Sequence, residues 1–133
     1  MKRIEVAAGL VFRRGKLLIT RRRAEDHLGG FWEFPGGKRE RGETFRKCLA
    51  RELREELGIE VKPGRLLATV NHDYPDNKVR LKFFTGELVE GKPRPIGCAA
   101  VRWVTRAGLA RHRFPEADAR LIRKVMKSGK LWR

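Results

Sequence analysis

Hydrophobic and polar positions along the chain divide it into strand-length apolar runs and amphipathic helical segments. Five runs rich in apolar and β-branched residues, bounded by turn residues, predict strands. They cover residues 4–12, 16–20, 65–70, 79–88 and 101–104. Arg13, Arg14 and Gly15 form a connection of hairpin length between the first two runs. Turn residues also occur at 74–77 and 91–95, so each strand has a defined end.

A helix is predicted over residues 44–57, which contain neither Gly nor Pro. Thr44 can cap its first turn, and Gly58 stands where helices commonly end in a left-handed residue. Leu49, Leu53 and Leu57 recur every fourth residue and form one apolar stripe. We therefore expect these leucines to be buried.

Glu52, Glu55 and Glu56 occupy another face of the same helix, about a third of a turn from the leucines. Like charges at this spacing repel each other, so the cluster indicates a compensating positive charge. A hard divalent cation such as Mg²⁺ is one candidate, because it prefers carboxylate oxygens. Arg51 can orient one carboxylate through a paired hydrogen bond. The alternative is a solvated acidic face paired with neighbouring Lys and Arg side chains.

The remaining segments complete an α/β pattern. A glycine-rich stretch at 28–37, around Phe31 and Trp32, predicts a loop with ordered aromatic anchors. A last helix is predicted to begin at Pro115 and to end near Gly129. Its buried face would consist of Leu121, Ile122, Val125 and Met126. Because no repeat or low-complexity linker divides the chain, we expect a single α/β domain over residues 1–133, with a mixed sheet flanked by helices.

The charge balance is strongly basic, with 32 Lys and Arg against 16 Asp and Glu in 133 residues, a formal net charge of +16. Such a charge attracts polyanions of any kind: nucleic acid, lipid headgroups or a nucleotide. A generally arginine-rich composition with solvated side chains is the alternative explanation. Seven of the acids fall between Glu33 and Glu60. An acidic island of this kind is unusual for a surface that only binds nucleic acid.

Several classes of protein are disfavoured by the sequence. No apolar stretch approaches the roughly 20 residues that a membrane-spanning helix needs. The N-terminal residues lack a secretory hydrophobic region, so we expect a cytoplasmic protein that does not enter a membrane. Cys48 and Cys98 have neither CxxC spacing nor a His/Cys cluster around them. Both are therefore expected to be small buried thiols rather than disulfide or zinc ligands.

A longer motif joins the glycine-rich stretch to the acidic helix. Gly37, Glu43 and the segment RELREELGI at 51–59 resemble the Nudix box, GX5EX7REUXEEXGU with U aliphatic, at every fixed position. The chain also resembles the MutT-type 8-oxo-dGTP diphosphatases and the cytidine-nucleotide pyrophosphohydrolases of the Nudix superfamily over nearly its whole length. The matching segments outside the box are VAAGLVF, LLITRRR, WEFPGGK, DYPDNKVRLKFF, RWV and FPEAD. The resemblance implies a Nudix fold, a mixed sheet sandwiched between helices.

The resemblance also implies an activity and a metal site. The expected reaction is hydrolysis of a nucleoside triphosphate such as 8-oxo-dGTP to the monophosphate and pyrophosphate, which removes damaged nucleotides from the pool used for DNA replication. The expected cofactor is Mg²⁺, with Mn²⁺ as an alternative ion. The Gly36 carbonyl and the Glu56 carboxylate would ligate metal, with Glu52 and Glu55 completing the cluster. Glu52 is the candidate general base, Glu55 belongs to the same catalytic set, and Arg51 would orient these carboxylates.

Further residues match positions that contact the nucleotide in this family. Arg22 suits a phosphate, His27 lies at a nucleotide-contacting position, and Tyr74 matches an aromatic position consistent with base stacking. The matching pocket-lining residues are Glu33, Phe34, Pro35 and Gly36. For Arg22, His27 and Tyr74 a purely structural role is the alternative.

Two positions depart from the family pattern. Asp118 stands where the MutT-type enzymes have a base-recognising asparagine, and an ionised Asp offers acceptors only. The preferred base therefore stays open. Gly97 stands where relatives often carry a further glutamate that binds metal or acts as the general base, six residues before Trp103. A lower rate or an altered metal dependence is expected.

Three alternative functions remain at this point. The chain could act on CTP or a 5-substituted dCTP. It could remove pyrophosphate from RNA 5′ ends, with the basic last helix and Arg111, His112 and Arg113 binding the backbone. It could also be a non-catalytic nucleic-acid-binding Nudix domain, although a binding module has no need for clustered carboxylates. The oligomeric state and the preferred sugar are not determined by the sequence.

Overall fold

The computed structural model describes residues 3–133, whose strands form a seven-stranded mixed sheet. Residues 1 and 2 of the expected domain lie outside the described residues. The strands are β1 (Arg3–Arg13), β2 (Lys16–Arg21), β3 (Trp32–Glu33), β4 (Gly36–Lys38), β5 (Glu60–Asp73), β6 (Lys78–Glu90) and β7 (Ala100–Thr105). The helices are α1 (Phe45–Leu57), α2 (Arg106–Leu109) and α3 (Ala119–Lys127), with 3₁₀ turns at Glu116–Asp118 and Gly129–Trp132.

Strand β1 is at the centre of the sheet. It runs parallel to β6, with Ala8 opposite Phe83, and antiparallel to β2 and β4. Strand β2 also pairs with β3 and β7, and β5 pairs with β6. The β1–β2 connection turns through Arg14 and Gly15, both with positive φ, as a tight hairpin requires. The mixed sheet expected from the sequence is confirmed.

The two faces of the sheet are covered by different helices. Ala7 and Val11 of β1 pack on the α1 side, together with the leucine stripe of that helix. Ala8 and Leu10 point to the opposite side, where they join the apolar residues of α3. This alternation follows from the period of two in a strand. The helix-sheet-helix sandwich is therefore confirmed.

Helix α1 has the ends that its sequence predicts. Thr44 Oγ1 accepts a hydrogen bond from the Lys47 N–H at 3.1 Å. Gly58 adopts φ 70°, and its N–H donates to the carbonyl of Arg54. Leu49 and Leu53 are completely buried, as is Leu57 at the end of the stripe. The caps fix where the helix begins, and the stripe fixes which face turns to the sheet.

The structure corrects the sequence analysis at four places. The expected loop at 28–37 contains β3 and part of β4, and Gly36 lets β4 pair closely with β1, since a Cβ on Gly36 would overlap the Ala7 carbonyl. The last helix does not begin at Pro115, whose ψ of 150° is extended, but at Ala119. It ends at Lys127 rather than near Gly129. Strand β5 is longer than the expected 65–70, and α2 was not predicted.

Two further observations bear on the classes considered above. Cys48 and Cys98 are both free and buried, as expected. Among residues 3–133, no helix has the length and apolar character required to cross a membrane.

Candidate functional site

A cleft of about 690 Å³ opens on the α3 side of the sheet. It lies over the part of the sheet formed by the N-terminal halves of β1 and β6. Its apolar floor consists of Ile4, Val6 and Ala8 from β1 and Val79, Leu81 and Phe83 from β6. These residues alternate along two parallel strands, so they share one face. The cleft can therefore receive a flat apolar group against the sheet.

Polar and aromatic side chains from four separate segments surround this floor. The residues expected from the sequence to contact substrate that line the cleft are Arg22, His27, Glu33, Phe34, Gly36, Tyr74 and Asp118. Pro35 does not line the cleft: it is buried, and its carbonyl accepts a hydrogen bond from the Gly9 N–H at 2.8 Å. The structure thus brings together residues that are up to 96 positions apart in the chain.

Arg22 is held by two interactions at the cleft wall. Its Nη1 lies 2.7 Å from Glu33 Oε2, and its Nε donates to the His27 carbonyl at 2.5 Å. Burial raises the pKa of Glu33, and the positive charge of Arg22 partly opposes that shift. The sequence analysis assigned Arg22 to a phosphate. In this structure its guanidinium also anchors the loop carrying His27 to the carboxylate of Glu33.

Tyr74 stands at the rim, where β5 turns into β6. Its ring centroid lies 4.4 Å from that of His72 and 5.5 Å from that of His27, both edge-on. The Tyr74–Asn77 turn is closed by two backbone hydrogen bonds between these residues, as the turn chemistry predicts. The His27–Tyr74 contact connects this turn to the loop after β2 across the mouth of the cleft.

Asp118 lines the cleft from the short turn that precedes α3. Only 7% of the residue is exposed. Burial, and secondarily the negative charge of Glu33, raise the pKa of Asp118 to about 7. At neutral pH this carboxyl group is therefore close to half-protonated, and in its protonated form it can donate a hydrogen bond as well as accept one.

Arg51 is the centre of the acidic face of α1. Its guanidinium donates to both carboxylate oxygens of Glu43, at 2.7 and 3.0 Å, and to Glu52 Oε1 at 2.9 Å. It also reaches Glu55 Oε2 at 3.1 Å and the Lys38 carbonyl at 3.0 Å. These hydrogen bonds lower the pKa of Glu43 to about 2. The bidentate contact is the geometry in which Arg orients a carboxylate.

The three glutamates of the acidic face, Glu52, Glu55 and Glu56, differ in environment. Burial, and then the charges of Glu33 and Glu52, raise the pKa of Glu56 to about 8. Burial also raises the pKa of Glu52, against the opposing hydrogen bond from Arg51. Glu55 is exposed. Burial thus favours the neutral forms of Glu52 and Glu56, so their ionised forms need positive charge beyond what the neighbouring arginines supply.

The donor set fits a divalent cation that is completed by other ligands. Within residues 3–133, no three His, Cys, Asp or Glu side chains are grouped so as to hold a metal ion by themselves. Mg²⁺, however, commonly takes one or two protein carboxylates and fills its remaining positions with water and substrate phosphate. Glu52 and Glu56 provide such carboxylates, and a cation beside them would favour their ionised forms against the burial that raises the pKa of both.

The acidic face and the cleft meet at β4. Gly36 and Gly37 line the cleft, and a Cβ on Gly37 would overlap the Glu52 carboxylate. The charge of Glu33 affects both Glu56 on the acidic face and Asp118 in the cleft. The two parts therefore form one continuous site. Gly97 lies against Glu56, with a hypothetical Cβ 3.2 Å from Glu56 Cγ, so an acid here would stand beside the cluster.

The apolar floor of the cleft was not predicted from the sequence. Ala8 and Phe83 had been assigned only to strands, and their place in the cleft depends on the parallel pairing of β1 with β6. The available signal was the alternation of small and apolar residues along β1. That alternation does not indicate which end of β1 is left uncovered by a helix and can therefore form the floor of a cleft.

Comparison with known proteins places this architecture in a family. A family model described as a NUDIX domain matches residues 7–124. The chain is also similar to an 8-oxo-dGTP diphosphatase from Proteus vulgaris, with 48% identity over 97 residues that cover 68% of this chain and 87% of that protein.

Two further similarities extend over most of the chain. A CTP pyrophosphohydrolase from Escherichia coli K12 is 34% identical over 126 residues, which cover 95% of this chain and 93% of that protein. A solved structure from a study of MutT from Aliivibrio salmonicida and Vibrio cholerae has a TM-score of 0.80 and 34% identity, covering 96% of this chain and 99% of that one. The fold of the chain is therefore shared with that solved structure over nearly its whole length.

Proposed function

Because the chain belongs to the Nudix hydrolase family, we propose that it hydrolyses a nucleoside triphosphate, with 8-oxo-dGTP as the leading candidate, to the monophosphate and pyrophosphate. Relatives named 8-oxo-dGTP diphosphatase support this substrate. The observation that carries the proposal is the continuity of the acidic face of α1 with the nucleotide-sized cleft at Gly36 and Gly37. Removal of oxidised nucleotides before DNA replication is the corresponding role.

Nudix hydrolases generally need a divalent metal, and we propose Mg²⁺, with Mn²⁺ as an alternative. The residues that would hold it are the Gly36 carbonyl and the carboxylates of Glu52, Glu55 and Glu56. When bound, a divalent cation neutralises charge on the phosphate oxygens and lowers the pKa of a coordinated water. The exposed position of Glu55 suits it to an outer contact more than to the centre of the cluster.

The chain's own residues would align the attacking water. Glu52 is the proposed general base, because its carboxylate abuts β4 at the junction of the cleft and the acidic face. The hydrogen bond from Arg51 favours the ionised form of Glu52, which a base requires. Glu43 holds the guanidinium of Arg51 from the other side. Arg51 is therefore a positioning residue for Glu52.

The nucleoside would occupy the cleft, with its base over the apolar floor. Phe34 and Phe83 offer apolar contact area from below, and Tyr74 stands at the rim. Asp118 is the proposed contact for the polar edge of the base. A carboxyl group that is close to half-protonated at neutral pH can pair with either a donor or an acceptor on that edge. Arg22, which also anchors Glu33, is the proposed phosphate contact.

A cytidine nucleotide is the second candidate substrate. The similarity to the CTP pyrophosphohydrolase covers 95% of the chain, against 96% for the Escherichia coli 8-oxo-dGTP diphosphatase, and both relatives are 34% identical. An ionised Asp118 would accept from an exocyclic amino group, which cytosine presents. The base preference therefore depends on the state of this one carboxyl group.

A comparison of the kinetic constants of several nucleotides tests the proposal. We would measure kcat and KM with Mg²⁺ for 8-oxo-dGTP, dGTP, CTP and 5-methyl-dCTP, for the wild type and for Asp118→Asn. The proposal expects turnover of at least one of them, with 8-oxo-dGTP fastest and a changed order in the variant. CTP as the fastest substrate would establish the second candidate. Failure to hydrolyse any member of the panel with Mg²⁺ or Mn²⁺ would overturn both.

A further inference from the structure

Positive charge is concentrated in the last third of the chain. Residues 91–133 contain twelve Lys and Arg but only two acids, Glu116 and Asp118. Asp118 is buried in the cleft, which leaves Glu116 as the one solvent-exposed acid of residues 91–133. Every ion pair within 4.0 Å among residues 3–133 joins residues between positions 5 and 60. The cations of the last third are thus not neutralised by carboxylates.

Helix α3 arranges part of this charge in a row. Arg120, Arg123, Lys124 and Lys127 lie within about a third of the helix circumference, opposite the buried Leu121 and Val125. Lys124 is tied to the sheet, since its Nζ donates to the Leu67 carbonyl at 2.6 Å. The other three side chains are exposed. We call Arg120, Arg123 and Lys127 the α3 basic row.

The α3 basic row spans about 10 Å along the helix axis. A single phosphate group can be bound by one guanidinium. A row of cations of this length instead matches a partner that carries many negative charges one after another. The row continues into the terminal 3₁₀ turn with Lys130, and Arg133 follows it. Repeated negative charge at short spacing is a property of a nucleic-acid backbone.

The apolar residues of the same helix disfavour a lipid partner. Ile122 and Met126 pack against the core beside the buried stripe instead of facing outward. The exposed large hydrophobic residues of the described chain are Leu66, Val89 and Ile96, none of them on α3. A helix that binds a membrane surface presents apolar side chains for insertion between the lipids, and α3 presents none.

We propose that the α3 basic row binds the phosphate backbone of nucleic acid without sequence specificity, independently of nucleotide hydrolysis. The row provides cations only, and salt dependence would therefore dominate the binding. The buried face of α3 packs on the side of the sheet where the cleft opens. Binding through the row would hold the enzyme on nucleic acid while the cleft remains accessible to free nucleotides.

The test compares two triple variants with equal charge. One removes the row (Arg120→Gln, Arg123→Gln, Lys127→Gln), and the control removes three exposed cations elsewhere (Lys47→Gln, Lys62→Gln, Arg65→Gln). The probes are a fluorescein-labelled 20-nucleotide RNA and a 20-base-pair DNA, both with 5′-hydroxyl ends so that no terminal triphosphate engages the cleft. Anisotropy is measured from about 50 to 200 mM salt, and vesicles of phosphatidylglycerol and phosphatidylcholine form a third arm.

The proposal expects at least about a tenfold loss of affinity in the row variant, with the slope of log K against log salt reduced by about two to three, and less than about a threefold loss in the control. Nucleotide hydrolysis and thermal melting should be unchanged in both variants, which shows that they fold and separates this test from that of the activity. Equal losses in both variants would mean that total charge alone is responsible, and would overturn the proposal. Binding to vesicles without binding to either nucleic acid would overturn it as well, as would the absence of any nucleic-acid binding.

Discussion

Arg51 is the residue on which the geometry of the acidic face depends most. A single guanidinium contacts Glu43, Glu52 and Glu55, which would otherwise repel one another. We predict that Arg51→Lys lowers kcat about tenfold or more with little change in KM. A lysine ammonium cannot make the bidentate contact to Glu43 and the contact to Glu52 at the same time. Steady-state kinetics on the best substrate measures this split.

Arg54→Lys is the matched control for this variant. Arg54 lies on the same helix and pairs with Glu60 through two hydrogen bonds, but its ion pair is far more exposed. We expect it to retain nearly full activity. If both variants lost activity equally, the loss would reflect the helix surface in general and not the positioning of Glu52.

Asp118 makes the free energy of unfolding depend on pH, and a substitution at this position separates its contribution from those of other groups. Burial raises the pKa of Asp118 to about 7 in the folded protein, against 3.8 for an unperturbed Asp side chain. Between these values the unfolded chain releases this proton while the folded chain keeps it, so rising pH destabilises the folded state. We predict that Asp118→Asn gains stability relative to the wild type from pH 4 to pH 7, by up to about 4 kcal/mol, and that the difference then levels off.

Denaturant unfolding of both proteins at pH 4, 5, 6, 7 and 8 measures this difference. Most other titrating groups are common to both proteins and cancel in the comparison. A constant difference across the series would show that Asp118 is not held in a raised-pKa environment.

At this scale the sequence predicts residue types and spacing but not their partners. The box spacing correctly indicated that Glu52 and Arg51 would lie together, since both are on one helix. It could not indicate that Arg22 pairs with Glu33, because that contact depends on how β2 and β3 meet. The burial that raises the pKa of Asp118 is likewise set by tertiary packing.

At the scale of elements, the short strand β4 sets the distance between the cleft and α1. Its two glycines have different neighbours: a Cβ on Gly36 would overlap backbone of β1, whereas one on Gly37 would overlap the end of the Glu52 side chain. The backbone of β1 cannot move easily to accommodate an added methyl group, whereas the flexible side chain of Glu52 can. We predict that Gly36→Ala lowers the melting temperature strongly, and that Gly37→Ala keeps stability but lowers kcat by displacing Glu52.

Thermal melting and kinetics on the same samples separate these two effects. Gly129→Ala serves as a control, because its added methyl would have its nearest neighbour at 3.6 Å, an ordinary contact. Full activity of Gly37→Ala would contradict the assigned role of β4 in placing Glu52.

Helix α1 and strands β1, β2, β6 and β7 could be predicted from local pattern, because caps, turn residues and apolar runs are local signals. Strands β3 and β4 could not, since their sequence reads as a glycine-rich loop and their pairing is with distant segments. The start of α3 was misjudged because Pro115 can begin a helix but here remains extended.

On the scale of the whole molecule, the site exists because the two helices cover the sheet unequally. Helix α3 buries the end of the sheet near Leu10 and Leu17, and leaves the end near Ile4 and Val79 as the floor of the cleft. The parallel pairing of β1 with β6 brings this floor together from residues more than 70 positions apart. A local reading of the sequence cannot supply such a pairing.

Acidic and basic residues are concentrated in different parts of the molecule. The acidic island between Glu33 and Glu60 folds into the face of α1 and its junction with the cleft, while the last third of the chain carries unpaired cations. The sequence predicted the island, and the structure joins three of its members, Glu43, Glu52 and Glu55, through Arg51 next to the cleft. A positive surround favours the approach of a negatively charged substrate to this site.

The identity of the products tests the central claim most directly. ³¹P NMR of 8-oxo-dGTP incubated with the protein and Mg²⁺ would be compared for the wild type, for Glu52→Gln and for the control Glu87→Gln, which changes an exposed glutamate of β6. We predict the monophosphate and pyrophosphate from the wild type and the control, with both products lost in Glu52→Gln. Release of orthophosphate with a nucleoside diphosphate, or undiminished turnover in Glu52→Gln, would contradict the account.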